Sequence, residues 1–130
     1  MKKLSLLLLV VIAIMGLTAC GNKAENTAKS FFKALETQDF DTAKKLATED
    51  GQQLLTLIQS MSESAPEEQK AELTKKRYNV LETIVEGDSA TVKYEEYSTD
   101  NPDDKTTQEL QMLKVDGSWK VHFAKDDIQK

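Results

Sequence analysis

The sequence predicts an α+β fold, with N-terminal helices packed on a curved antiparallel sheet of about four strands. Three observations predict it. Apolar residues recur at helical spacing from Ala24 to Met61. The period changes from 3.6 to 2 near Arg77. Asp116-Gly117 then lies between two apolar runs, and that pair suits a two-residue type I′ hairpin turn.

In chain order, Asn22 and Glu25 form a capping-box pattern. Ala24, Ala28, Phe31, Phe32 and Leu35 follow on one stripe, so the first helix is expected from Lys23 to Thr37. Gln38-Asp39 breaks it. Asp39 or Asp41 starts a short second helix through Ala43, Leu46 and Ala47. Glu49-Asp50-Gly51 reads as the turn that closes it. Leu54, Leu55, Leu57, Ile58 and Met61 are the apolar set of a third helix. Pro66 interrupts the pattern and restarts a polar, peripheral fourth piece through Leu73.

Tyr78 to Glu86 reads as a strand, Glu86-Gly87-Asp88-Ser89 as a tight turn, and Ala90 to Tyr97 as the next strand. Ala90, Val92 and Tyr94 share one face of it. Ser98 to Lys105 is expected to be a polar loop, and Thr107 to Val115 a third strand. The Asp116-Gly117 turn fixes a register: Lys114 opposes Trp119, Met112 opposes Val121 and Leu110 opposes Phe123. A slip of one residue would expose Trp119, Val121 and Phe123 together. The first helix would then bury Phe31, Phe32 and Leu35 against those three. The tail from Lys125 is polar.

Residues 1–19 read as a targeting segment. Lys2 and Lys3 precede an unbroken apolar run from Leu6 to Met15, and Gly16, Thr18 and Ala19 are the small residues of a cleavage site. Sixteen residues separate Lys3 from Cys20, short of the roughly 20 that a membrane-spanning helix needs. The segment carries two lysines and no acid, so its removal takes the formal charge from −5 to −7. That balance argues against nucleic acid and against docking on anionic headgroups as partners. Cys20 has no partner for a disulfide, since the chain holds one cysteine.

Leu17-Thr18-Ala19-Cys20 resembles the lipobox of bacterial lipoproteins. The resemblance implies cleavage between Ala19 and Cys20, a diacylglyceryl group on the Cys20 sulfur, and a membrane partner through that lipid. Two acyl chains hold a protein durably at a bilayer, where one holds it only marginally. Gly21, not Asp, follows Cys20. By resemblance this permits an outer-membrane address in a two-membrane envelope; with one membrane it means the outer face of the cytoplasmic membrane. Residues 20–22 would be the only tether, spanning at most about 10 Å, ahead of one domain over 23–130.

The domain itself is similar to the nuclear transport factor two-like superfamily of cone-shaped α+β domains, in its uncharacterised lipoprotein branches. Four stretches carry the likeness: Ala28 to Leu35, Asp39 to Ala43, Gly87 to Val92, and Leu113 to Val121. That fold hosts isomerases, dehydratases, adaptors and ligand binders, so it leaves the activity open.

Enzymes of this superfamily place an acid or base and hydrogen-bond donors in the mouth of the cone. The candidates for that pocket here are Tyr78, Glu82, Tyr94, His122 and Trp119, with Tyr97 beside them. His122 alternates away from Val121 and Phe123 and reads first as a solvent-facing strand residue. Tyr94 reads as a core-rim residue with its hydroxyl at the edge. No G-x-S-x-G and no glycine-rich phosphate loop is present. The acidic run at Asp100 to Asp104 lacks the ligand spacing of a calcium loop. One histidine and no thiol besides Cys20 do not make a zinc site, and no cofactor is expected.

The reading is thus an envelope lipoprotein with a non-enzymatic binding or interaction domain, its partner an envelope protein or a small apolar ligand. The alternatives are a small acid–base enzyme acting on an apolar metabolite, and an inhibitor- or immunity-type lipoprotein.

Overall fold

The change of period divides the chain into a helical half and a sheet half. The computed structural model describes residues 23–123. The expected signal, the lipobox with Ala19 and Cys20, and the tail after Phe123 lie outside the described residues. Helix α1 covers 23–36, α2 Phe40–Lys45, α3 Glu49–Glu63 and α4 Glu67–Thr74. The strands are β1 Lys76–Glu86, β2 Ser89–Ser98, β3 Asn101–Val115 and β4 Ser118–His122. They form one antiparallel sheet in the order β1-β2-β3-β4. The α+β class holds: four helices lie on a four-stranded curved sheet.

Local chemistry explains the boundaries. The Asp39 carboxylate accepts from Thr42 N–H at 3.2 Å and caps α2. Glu49-Asp50-Gly51, expected as a turn, is instead the first turn of α3. Thr48 is its N-cap, accepting from Gly51 N–H at 3.3 Å, and two acids in the first turn suit the positive end of the helix dipole. Gly51 is there for closeness: a Cβ would meet Ala47 Cβ at 3.1 Å and the Val121 carbonyl oxygen at 3.3 Å.

The Asp116-Gly117 turn has both residues at positive φ, 51° and 81°. Lys114 faces Trp119 and Met112 faces Val121, as the turn predicts; pairing stops at Gln111 with His122, one step before Leu110 and Phe123. The other long hairpin departs from expectation. Ser98 to Lys105 is not a loop. Ser98 pairs with Asn101 across a turn at Thr99-Asp100, and β3 runs from Asn101. The polar residues there reflect exposure on both faces rather than absence of strand. The β4 strand covers only Gln111–Val115, so among the described residues Asn101–Leu110 keeps a free edge, blunted by Pro102 and the charges of Asp103, Asp104 and Lys105.

A bulge in β1 shapes the sheet. Pairing with β2 shifts between Val80 and Glu82, leaving Leu81 over. Tyr78 and Val80 pack on the core before it, and Val85 after it. The core is Phe31 and Phe32 from α1, Leu55 from α3, and Val92, Met112, Trp119 and Val121 from the sheet. Segment 46–48 closes the outer edge of β4: Val121 N–H donates to Leu46 O at 2.8 Å and Thr48 N–H to Val121 O at 2.9 Å. Among the described residues, no helix is long and apolar enough to cross a membrane.

Candidate functional site

Phe32 was expected against the β4 aromatics, but it packs on the β1–β2 half of the same face of the sheet. Its ring lies 5.0 Å from Tyr78 in a stacked pair and 4.6 Å from Tyr94. Phe31 keeps the expected contact, 6.1 Å from Phe123. These rings hold α1 away from the sheet, and a cavity of about 460 Å³ opens between them. Its apolar walls include Leu54, Leu55 and Ile58 of α3, Leu73 of α4 and Leu110 of β3. Of the chain's four phenylalanines, three tyrosines and one tryptophan, all four phenylalanines and two tyrosines line it.

One side of the cavity is polar, and its groups are joined to each other. The Tyr94 hydroxyl donates to Gln108 Oε1 at 3.1 Å. Gln108 Nε2 donates to Glu96 Oε2 at 3.4 Å, and Lys76 Nζ to Glu96 Oε1 at 2.7 Å. Alternation along β2 puts Glu96 on the same face as Tyr94, and register puts Gln108 directly across from Tyr94. Glu36 at the end of α1 accepts the Tyr78 backbone N–H at 3.0 Å and ties helix to sheet beside this row. Burial pushes the Tyr78 phenol well above its ordinary pKa, with Glu96, Tyr94 and Glu36 adding to the rise. Tyr94 shifts the same way, by burial first and then Glu96. Both phenols therefore stay protonated at neutral pH.

The expected site residues divide. Tyr78 and Tyr94 line the cavity; Glu82, His122 and Trp119 do not. Glu82 would share the face of Tyr78 and Val80 in a straight strand, but the bulge at Leu81 turns it out to solvent opposite Lys93. His122 is on the outer side of β4, where its Nδ1 meets Thr48 Oγ1 at 3.1 Å beside the α3 cap. Trp119 is buried at the other end of the core, with Lys114 Nζ 5.9 Å from its ring centroid. Tyr97 alternates away from the cavity as well, and Lys105 Nζ lies 5.7 Å from its ring.

Sequence reasoning missed Glu96, Gln108, Lys76 and Phe40. The alternation that placed Tyr94 would have reached Glu96. Gln108 needed the β2–β3 register, which the misread loop concealed. Among the described residues, no group of three or more His, Cys, Asp or Glu is placed to hold a metal.

No protein-family model and no curated protein matches the sequence. Solved structures do resemble it. One is a protein of unknown function with a cystatin-like fold from Nostoc punctiforme. It has a TM-score of 0.54 and 15% identity over 76% of this chain and 83% of that one. Another is an NTF2-like protein of unknown function from Cytophaga hutchinsonii, at 0.47 and 16% over 82% and 95%. A third is an LEH-like epoxide hydrolase of M. tuberculosis, at 0.45 and 14% over 84% and 88%. The first shows the shared fold; at these identities none brings an activity with it.

Proposed function

We propose that this protein is a membrane-anchored envelope lipoprotein whose domain binds a small, largely apolar ligand without reacting with it. The observation that carries the binding reading is the cavity itself. Its apolar walls and few convergent polar groups are the usual composition of a ligand site. The competing acid–base reading named Glu82 and His122, and neither borders the cavity. Two carboxylates border it: Glu96 is engaged by Lys76 and Gln108, and Glu109 alternates away from Gln108 and Leu110 to stand opposite Lys93.

The anchor rests on the lipobox resemblance. Helix α1 is already formed at residue 23, three residues after Cys20, so the tether is short. The helix is about 20 Å long, and Glu36 at its far end binds Tyr78. The polar side of the cavity is therefore separated from the anchor by the length of α1, and the ligand is drawn from the aqueous envelope.

Metabolic labelling with a fatty-acid analogue tests the anchor. Label is expected in the wild type and not in Cys20→Ala; an unlabelled wild type removes the anchor from the proposal. Native mass spectrometry of the full chain extracted from its own membranes tests the cavity. One noncovalent small molecule per chain is expected, and it should be lost from Ile58→Trp, which fills the cavity from a partly exposed position. A bare wild-type protein, or a ligand retained by Ile58→Trp, would count against binding in this cavity.

A further inference from the structure

The polar side of the cavity specifies the charge of what it takes. We infer that the ligand is an amphipathic organic cation, an apolar body bearing one amine, seated among the aromatic rings with its ammonium toward Glu96 and the Tyr78 and Tyr94 hydroxyls. This rests on the binding reading above and adds a ligand class to it.

Several groups on that side keep an acceptor for a ligand. Glu96 keeps carboxylate lone pairs beyond its bonds to Lys76 and Gln108. Tyr94 spends its proton on Gln108 and is left as an acceptor. Gln38 spends an amide N–H on the Leu35 carbonyl at 3.1 Å and keeps its oxygen. The Tyr78 hydroxyl makes no hydrogen bond among the described residues, although it borders the cavity. A ligand ammonium supplies three donors and no acceptor, and it can be met by the Glu96 carboxylate and the oxygens of Tyr94, Gln38 and Tyr78.

The field agrees with the count. Tyr78 feels Glu96 and Glu36 as negative neighbours, and both disfavour a second negative charge at its oxygen. The Lys76 ammonium and the Glu96 carboxylate are paired at 2.7 Å, and Lys76 is the more exposed of the two, 46% against 22%, so the less solvated charge beside the cavity is the negative one. A carboxylate headgroup would lose water to meet Glu96. Six rings border the cavity, Phe31, Phe32, Phe40, Tyr78, Tyr94 and Phe123, and an ammonium group is attracted to the face of such a ring.

The test is a matched series on the full chain in lipid nanodiscs, with empty nanodiscs as the blank. The probes are 4-phenylbutylamine, 4-phenylbutanol and 4-phenylbutyrate, which share an apolar body and differ in the charge of one end. Titration calorimetry should rank amine over alcohol by about tenfold, with the acid weaker still. Glu96→Gln keeps hydrogen-bonding capacity and removes the charge; it should bring amine and alcohol within about threefold of each other. Tyr78→Phe should weaken the amine while leaving the melting curve near that of the wild type. An acid that binds as well as the amine, or an amine advantage that survives in folded Glu96→Gln, overturns the ligand class and leaves the binding reading standing. Failure of all three probes to bind a folded protein overturns both.

Discussion

The concave face of the sheet has two ends, and the same packing problem is solved differently at each. Toward the Asp116-Gly117 turn the face carries Ala90, Val92, Met112 and Val121, and the last three are wholly buried. Ala24 and Ala28 of α1 belong to the same cluster and are also wholly buried. Small residues let helix and sheet meet. Toward Tyr78 the face carries rings and long polar side chains, and Phe32 stacks on them. The layers are held apart, and the cavity is what remains. The spacing between α1 and the sheet thus follows side-chain size along both, together with the bulge at Leu81 that bends β1.

The sharpest way to break this contrast is to truncate one apolar side chain at each end. Met112→Ala empties a closed site and should cost about 2–5 kcal/mol. Leu73→Ala trims a half-buried residue that already borders open space, and it should cost under about 1 kcal/mol. Urea denaturation measures both, as a shift in midpoint at unchanged slope. Similar costs would mean that the two ends are equally packed and that the cavity closes in solution.

A gain of stability should come from the bulge that bends β1. Thr83 lies just past it, opposite Val92, and its hydroxyl is buried without a hydrogen-bond partner among the described residues. Thr83→Val keeps the branched shape and removes the unpaired group, so it should stabilise the fold by about 1 kcal/mol. A loss in the same denaturation assay would mean that the hydroxyl has a partner, such as a bound water.

How much of this was legible in the sequence follows from where the signals are local. Asp116-Gly117 carries its own turn geometry, and alternation on either side of it gave the closed end: Met112, Trp119 and Val121 fall where the register puts them. The open end depends on events without a local signature. The bulge at Leu81 reverses the facing of Glu82, and a strictly alternating reading has no reason to insert it there. The Ser98–Asn101 pairing joins a strand whose residues are exposed on both faces, so its pattern looks like loop. Thr48 with His122 joins residues 74 apart in sequence. Aromatic residues marked the cavity correctly at Tyr78 and Tyr94, while Glu96, two residues past Tyr94 on the same face, was not read as part of it.

Alkaline titration separates the ends by charge. Burial raises the Tyr78 and Tyr94 phenols above their ordinary value near pH 10. The folded state then favours the protonated ring, so the stabilisation is complete below about pH 10 and is lost as pH rises beyond it. Melting temperature followed from pH 8 to 12 should fall for the wild type above pH 10 and fall less for Tyr78→Phe. Parallel curves would mean that Tyr78 is solvated and that the cavity is wet to its base. Met112→Ala, at the closed end, should lower the whole curve without changing its shape.

The smallest effect should come from Asp39, at the exposed corner between α1 and α2. Its carboxyl lies below the usual carboxylate range because the Thr42 hydroxyl donates to it at 2.6 Å, and Thr42 N–H and the charge of Lys45 add to this. A depressed value means that the ionised cap favours the fold. That contribution is present above the unfolded carboxyl pKa of about 3.9 and fades as pH falls through it and below. The melting-temperature difference between wild type and Asp39→Ala should be constant from pH 7 to 5 and close below about pH 4. A difference that persisted at pH 2 would assign the cap to hydrogen bonding by the neutral acid rather than to its charge.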